Sequence, residues 1–165
     1  MTGFVHLRLH TEYSLVDSVV RIDELAAAAR AAGMPAIAVT DQCNLFALVK
    51  FWRAVQAAGV KPIVGVDVWI RDAAERSEPT RLTLLCMNLA GYRNLTRLVS
   101  RSYLEGQRRG VPMLERAWLE PKSVGGLIAL SGAGEGDVGR HLGNGRVAAA
   151  HRAARAGREL FGDRY

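Results

Sequence analysis

The sequence has few cysteines, no long apolar run and no signal-peptide pattern. Its 165 residues include two cysteines, Cys43 and Cys86, which are too few for a disulfide framework. No apolar stretch approaches the roughly 20 residues that a membrane span needs, and the N-terminus lacks a basic region followed by an apolar core. These absences predict a cytoplasmic protein without membrane attachment.

Common cofactor and metal motifs are missing as well. The chain has no zinc-ligand spacing, no P-loop and no Gly-rich dinucleotide fingerprint; Gly132, Gly134 and Gly136 form only an isolated alternation. The composition, 49% hydrophobic and 23% charged, is typical of a globular protein. A length of 165 residues predicts a single domain over residues 1–165.

Positive charge is concentrated in the second half of the chain. The net charge is +6, from 22 basic and 16 acidic residues, and all of the excess lies between residues 90 and 165. Arginine recurs at helical spacing at positions 93, 97 and 101 and at positions 152, 155 and 158. Such stripes can contact phosphate, but no recognition motif and no interleaved aromatic residues accompany them. Solvated helix faces are therefore favoured, with any DNA contact weak or indirect.

Strand-like and helical patterns alternate and predict the α/β class, with parallel strands alternating with helices. Strands are expected at residues 4–9, 35–40, 61–70, 81–87 and 125–131, and helices at residues 21–32, 91–104 and 145–160. Asn44 is the expected N-cap of a further helix that ends at Gly59, with Leu45, Leu48, Val49, Trp52 and Val55 on one face. Residues 71–79 are an expected loop, and residues 106–123 are irregular, with a short helical piece around Trp118.

Candidate functional side chains lie on or just after the early strands. His6, Arg8 and His10 alternate along the first strand. The second strand ends in Thr40-Asp41-Gln42, while Asp17 follows the first strand and Asp67 lies on the third. Histidines and carboxylates near strand ends can bind a divalent metal. Hydrogen-bonded polar groups with a structural role are the commoner outcome for such a cluster, and spacing alone leaves both open.

Five segments together carry a family resemblance. They are FVHLRLHTEYSLVD, AIAVTDQCNLFALVKFW, VKPIVGVDVWI, LTLLCMNLAGYRNLTRLVS and GLIALSGAGEGDVGRHL. In order and spacing they resemble the N-terminal PHP (polymerase and histidinol phosphatase) domain of bacterial DNA polymerase III alpha subunits, over residues 4–165. The resemblance implies a distorted (β/α) barrel, present here in part, with a metal cluster at its C-terminal mouth in the active members.

The chain departs from the metal-binding pattern that the resemblance implies. Arg8 replaces the first histidine of His-x-His and leaves His10; Asp17 is kept, Gln42 replaces a histidine, Asp67 a glutamate, Arg81 a histidine and Ala133 a cysteine. The last Asp-x-His pair of the family would lie beyond Tyr165, so we expect an incomplete C-terminus. Arginine has no lone pair to donate and carries a fixed positive charge, which repels a divalent cation. The resemblance therefore implies a degenerate site without metal and without a catalytic residue.

Loss of the metal suggests a different source of positive charge. Carboxylates left without a cation repel one another or take up protons. Arg8 and Arg81 are therefore the hypothesised counter-ions of Asp17, Asp41 and Asp67. The alternative, that an arginine points into solvent, is as plausible for Arg81 but is disfavoured for Arg8, whose neighbours on its face are histidines.

The resemblance implies a role in DNA replication. A degenerate domain of this family is expected to support the rest of the polymerase alpha subunit and to dock the proofreading exonuclease (epsilon) subunit. No segment corresponds to a polymerase palm, fingers or thumb, so nucleotidyl transfer and its Mg²⁺ belong elsewhere in the parent protein, and no cofactor is expected in this chain. The alternative is a metal-dependent phosphoesterase or 3′–5′ exonuclease, against which Arg8, Gln42 and Ala133 all count.

Overall fold

The computed structural model describes residues 3–15, 17–72 and 78–165. The chain divides into two compact units, Met1–Asp67 and Val68–Tyr165. Residues 73–77 of the expected 71–79 loop lie outside the described residues. No helix in the described ranges has the length and apolar character needed to cross a lipid bilayer.

The first unit contains two helices and a pair of parallel strands. In chain order it holds a 3-10 turn at Glu12–Ser14, α1 at Ile22–Ala31, β1 at Ala36–Val39, α2 at Leu48–Ala57 and the first part of β2, which spans Lys61–Arg71. β1 pairs in parallel with β2, with Ala36 opposite Lys61 and Val39 opposite Val64. The predicted alternation of strand and helix is confirmed here.

Helix α1 follows its sequence signals closely. Asp23 and Glu24 lie in its first turn and Arg30 in its last, which suits the helix dipole. Gly33 follows with a φ of +64°, the left-handed conformation that ends helices. Its buried residues Ile22, Ala26 and Ala29 join a hydrophobic core that also includes residues 37, 39, 51, 55 and 60.

The expected strand at residues 4–9 is not a regular strand. The segment runs beside β1, where His6 O accepts from Ala38 N–H at 2.9 Å and Leu9 O accepts from Thr40 N–H at 2.8 Å. The Leu9 N–H, however, donates to the Thr40 side-chain Oγ1 at 2.8 Å. A side-chain acceptor thus replaces a backbone carbonyl, which interrupts the ladder and makes the strand prediction wrong.

The predicted start of α2 is also wrong. The Asn44 side chain donates from Nδ2 to the carbonyls of Tyr13 and Gln42 at 3.0 Å each and accepts from the Phe46 N–H at 3.0 Å. These bonds form a turn, so the helix begins four residues after Asn44, at Leu48, without a side-chain cap.

The buried face of α2 differs from the expected one. Val49 and Trp52 are 63% and 42% exposed, whereas Phe51 and Val55 are fully buried. Ala47, Phe51 and Val55 follow one another at a spacing of four, and all three belong to the core. The buried stripe therefore consists of these three residues, and Phe51 was absent from the face that the sequence predicted.

The second unit contains the end of β2, three further strands and three helices. These are β3 at Thr80–Cys86, α3 at Leu89–Leu104, β4 at Leu114–Glu115, β5 at Leu127–Leu130, α4 at Asp137–Gly143 and α5 at Val147–Phe161, with 3-10 turns at Arg116–Trp118, Ala133–Glu135 and Gly162–Arg164. β2 neighbours β3, and its end pairs in parallel with β4. The short helical piece expected around Trp118 is the turn at Arg116–Trp118.

The strand directions in the second unit are mixed. β3 and β5 pair antiparallel, from Thr83 opposite Leu130 to Cys86 opposite Leu127. The α/β class is confirmed, but parallel pairing does not extend to these two strands. The helical crossover through α3 leads to β4, which joins β2 in parallel, and β5 then returns along β3 in the opposite direction. Helix α4 was not predicted, and the (β/α) barrel stays a prediction.

Candidate functional site

Four of the candidate side chains meet in the first unit, and we call Arg8, His10, Asp17 and Asp67 the His10 cluster. Arg8 Nε donates to Asp67 Oδ2 at 2.6 Å, and His10 Nε2 lies 2.8 Å from the same oxygen. His10 Nδ1 lies 2.8 Å from Asp17 Oδ2. The Asp67 side chain is fully buried, whereas that of Arg8 is 41% exposed. A guanidinium and an imidazole therefore converge on one buried carboxylate.

The geometry of His10 favours its protonated form. Burial lowers the pKa of this imidazole, but hydrogen bonds to Asp67 and Asp17 and the attraction of both carboxylates outweigh burial, so that the pKa is raised. Both ring nitrogens face carboxylate oxygens, and only an imidazolium can donate from both. His10 thus bridges two carboxylates, and in this state its ring has no lone pair left for a metal ion.

Asp41 is held by neutral donors. Its carboxylate accepts from the Thr11 backbone N–H at 2.6 Å and from the Thr11 and Ser14 hydroxyls at 2.8 Å. Thr11 caps the 3-10 turn at Glu12–Ser14, so this turn delivers the hydroxyls to the buried carboxylate. The donors observed on Asp41 are therefore an amide and two hydroxyls, where the counter-ion hypothesis expected arginine.

Gln42 contributes through its backbone. Its N–H donates to the Ser14 hydroxyl at 3.0 Å, and Gln42 forms an isolated parallel bridge with Asp67. The neighbouring Cys43 N–H donates to the Asp67 carbonyl at 2.8 Å. These bonds hold the chain after β1 against β2 and position the Asp67 side chain.

Arg81 and Ala133 lie in the second unit. The Arg81 side chain is 6% exposed, its Nε lies 2.9 Å from Glu135 Oε2, and its guanidinium stands 4.3 Å from the Trp69 ring centroid. Ala133 begins the 3-10 turn that carries Glu135. Arg81 is thus buried against an aromatic ring and a carboxylate, while its place in a network with Asp17, Asp41 and Asp67 stays a prediction.

Sequence reasoning missed Glu135 and Trp69 as partners of Arg81. Glu135 stands two residues after Ala133, in a Gly-rich stretch whose sequence pattern indicated only a glycine alternation and the absence of a cysteine. Trp69 is two residues after Asp67 on β2, so the alternation of a strand places both on one face. That spacing was the available signal for Trp69.

The comparison with protein families decides the classification. A family model described as the PHP domain matches residues 6–165. This chain belongs to the PHP domain family. The predicted family is confirmed, and the match covers nearly all of the sequence.

Curated relatives contain this PHP domain within a much longer chain. It is 51% identical over 163 residues to the DNA polymerase III subunit alpha of Pseudomonas aeruginosa, covering 99% of this chain and 14% of the relative. The corresponding subunit of Escherichia coli strain K12 is 44% identical over 162 residues, or 98% of this chain and 14% of the relative. The PHP domain therefore spans about one seventh of the length of these relatives.

A solved structure of an amidohydrolase from Chromobacterium violaceum can also be aligned. It gives a TM-score of 0.47 at 18% identity, over 59% of this chain and 32% of the other chain.

The side chains of the His10 cluster do not fit the divalent metal that the PHP family implies. Among the described residues, no group of three or more His, Cys, Asp or Glu side chains is placed to hold a metal ion. In the cluster itself, Asp67 Oδ2 accepts from a guanidinium and lies within hydrogen-bond distance of a histidine. A metal ion there would have to displace Arg8 and deprotonate His10.

Proposed function

We propose that this PHP domain is part of a DNA polymerase III alpha subunit and acts in DNA replication in the cytoplasm. Identities of 44–51% to polymerase III alpha subunits across at least 98% of the chain support this assignment. Nucleotidyl transfer, with its Mg²⁺, is assigned to the parts of the parent protein that lie outside this chain.

Within that protein the PHP domain is non-catalytic. The observation that carries this proposal is the Arg8–Asp67–His10 contact, in which a guanidinium stands where the family motif has a histidine and the imidazole of His10 is hydrogen-bonded at both nitrogens. A phosphoesterase of this family needs a metal to polarise the phosphate and to generate its nucleophile. The guanidinium of Arg8 carries a fixed positive charge and contacts Asp67 Oδ2, so it opposes metal binding at that oxygen.

The domain instead supports the polymerase chain and docks the proofreading exonuclease (epsilon) subunit. Support for this role comes from the contacts of Arg8 and His10 with Asp67, which tie the segment before β1 to β2 although the metal-ligand pattern of the family is incomplete. If the PHP domain of a polymerase does not hydrolyse phosphodiesters, proofreading has to come from a separate nuclease. The alternative, a metal-dependent phosphoesterase or 3′–5′ exonuclease, conflicts with the contacts of Arg8.

Metal content and hydrolysis distinguish the two functions. We expect the purified PHP domain to hold less than stoichiometric zinc or manganese and to show no chelator-sensitive hydrolysis of p-nitrophenyl phosphate or single-stranded DNA. Arg8→His restores the His-x-His motif of the family, and its metal content and hydrolysis are compared with those of the wild type. Stoichiometric metal together with hydrolysis that a chelator abolishes would refute the non-catalytic proposal.

Docking is tested separately with the epsilon subunit. Titration of labelled epsilon with the PHP domain should give saturable binding, and Arg8→Ala should weaken it only as far as the variant loses folded protein. Absence of saturable binding to a folded PHP domain would remove the docking proposal while leaving the non-catalytic proposal intact.

A further inference from the structure

The second unit contains an open cleft beside the N-terminal half of α5. Its volume is about 570 Å³, within the range of roughly 300–1,000 Å³ that small-molecule sites occupy. Four arginines line it, Arg116, Arg140, Arg146 and Arg152, and the cleft is called the α5 cleft below. No residue of the His10 cluster takes part in it.

Two of these arginines already have acidic partners in the cleft wall. Arg116 Nη2 donates to Asp137 at 3.1 Å, and its Nε lies 3.7 Å from Asp72. Arg140 Nη1 donates to the Glu78 carbonyl at 3.4 Å and lies 3.9 Å from the carboxylate of the same residue. The three carboxylates of the cleft are therefore engaged by Arg116 and Arg140.

Arg146 and Arg152 are the remaining arginines of the cleft. Neither side chain forms an ion pair with any residue in the described part of the chain, and both line the cleft. They stand three residues before and three residues after Ala149, so they flank a strip formed by Ala149, Ala153 and Ala156 on one helical face. The cleft thus presents two available guanidinium groups on either side of a small apolar surface.

The start of α5 adds to the positive potential at Arg146. The helix is 15 residues long and has no side-chain cap at its N-terminus. The N–H groups of Ala149 and Ala150 both donate to the Arg146 carbonyl, so the helix start acts on an anion through its dipole and not through these two donors. The dipole of such a helix favours an anion near its first turn.

We propose that the α5 cleft is a binding site for a phosphate group carried by a small molecule. Arg146 and Arg152 donate charge-assisted hydrogen bonds to the phosphate oxygens, for which the planar guanidinium is well shaped. The alanine strip and the half-buried His141 leave room for the rest of the ligand. The site is independent of the proposed replication role, since it uses none of the residues on which that role was argued.

The test is a thermal-shift titration of the full chain with inorganic phosphate against sodium chloride at matched ionic strength. We expect a saturable stabilisation by phosphate, which Arg146→Gln and Arg152→Gln each weaken about tenfold in apparent affinity. Arg155→Gln is the matched control, because Arg155 lies on the same helix, is exposed and does not line the cleft.

The outcomes separate the sources of phosphate. If deoxyadenosine monophosphate binds more tightly than inorganic phosphate and the two cleft variants lose this binding, the ligand is a nucleotide. If both bind equally, the site recognises the phosphate group alone. A phosphate effect no larger than that of chloride overturns the proposal. The proposal is also overturned if Arg155→Gln weakens binding of a probe as much as Arg152→Gln does, whether the probe is phosphate, the nucleotide or a single-stranded oligonucleotide. That result would describe a general basic helix face.

Discussion

At the residue scale, Asp67 is the group on which the charges of the first unit depend. It is fully buried and accepts from Arg8 at an oxygen that also lies 2.8 Å from a His10 ring nitrogen. A buried carboxylate without such partners would carry a large desolvation cost. Substitution of Arg8 or His10 should therefore lower the free energy of unfolding rather than change any activity of the domain.

Arg8→Ala should destabilise the domain. Breaking a fully buried pair costs about 3–5 kcal/mol, but Arg8 is 41% exposed, so solvent screening reduces the expected loss to about 1–2 kcal/mol. Urea unfolding followed by circular dichroism measures it. Arg93→Ala, an exposed helical arginine, is the control and should change stability by less than about 0.5 kcal/mol. Equal effects of the two substitutions would contradict a counter-ion role for Arg8.

His10 should make stability depend on pH. Because the folded-state pKa of His10 is raised above its ordinary value of 6.5, its contribution is fully present below that value and is lost as pH rises through the folded-state pKa. The stability difference between the wild type and His10→Gln should therefore shrink from pH 5.5 to pH 9. Unfolding free energies across this range measure the trend; a difference that grows with pH would show that His10 is bound in its neutral form.

At the element scale, the sequence predicts regular helices better than their beginnings. The α1 range follows from its acidic first turn and from Gly33, because those signals are local. The start of α2 does not follow from Asn44, because that side chain bonds to Tyr13, 31 residues away in sequence. The residues 4–9 fail as a strand for a related reason, since the Thr40 hydroxyl competes with the backbone.

Close packing between α3 and the turn before β5 provides an element-scale prediction. A Cβ at Gly91 would lie 1.9 Å from the carbonyl oxygen of Gly126, so Gly91→Ala must push the two segments apart. We expect a loss of about 2–3 kcal/mol in the free energy of unfolding. Gly143→Ala is the control, because a Cβ there meets nothing within 4 Å and helix propensity favours alanine. An unchanged free energy of unfolding in Gly91→Ala would show that Gly91 and Gly126 lie farther apart than they do in the structure.

In the candidate site, too, the sequence indicates which residues take part but not the contacts that they make with residues distant in sequence. The sequence pattern singles out Arg8, His10, Asp17 and Asp67, and the structure brings these four together. The bridging of two carboxylates by His10 could not be read from the sequence, since it depends on the loop after residue 10. Glu135 as a partner of Arg81 was likewise hidden, because 54 residues separate them.

At the scale of the whole molecule, the positive charge of the second half is divided among different roles. Arg116 and Arg140 are paired with carboxylates, and Arg101 combines a bond to Glu105 with a contact over the Trp118 ring. Arg146 and Arg152 line the α5 cleft instead. A net charge alone therefore predicts neither DNA binding nor a solvated face, and each arginine has to be assigned from its neighbours.

We propose that this PHP domain is stabilised by its own charged side chains at the place where the family resemblance implies a divalent metal. The most direct measurement is the melting temperature of the purified chain in a chelator and after addition of zinc or manganese at tenfold molar excess. A folded state that binds metal is stabilised by mass action, whereas one that does not is unaffected. We predict that the melting temperature stays within about 1 °C in all three conditions. A rise of several degrees with either metal, reversed by the chelator, would show that the folded domain binds metal and would refute stabilisation by its own charged side chains.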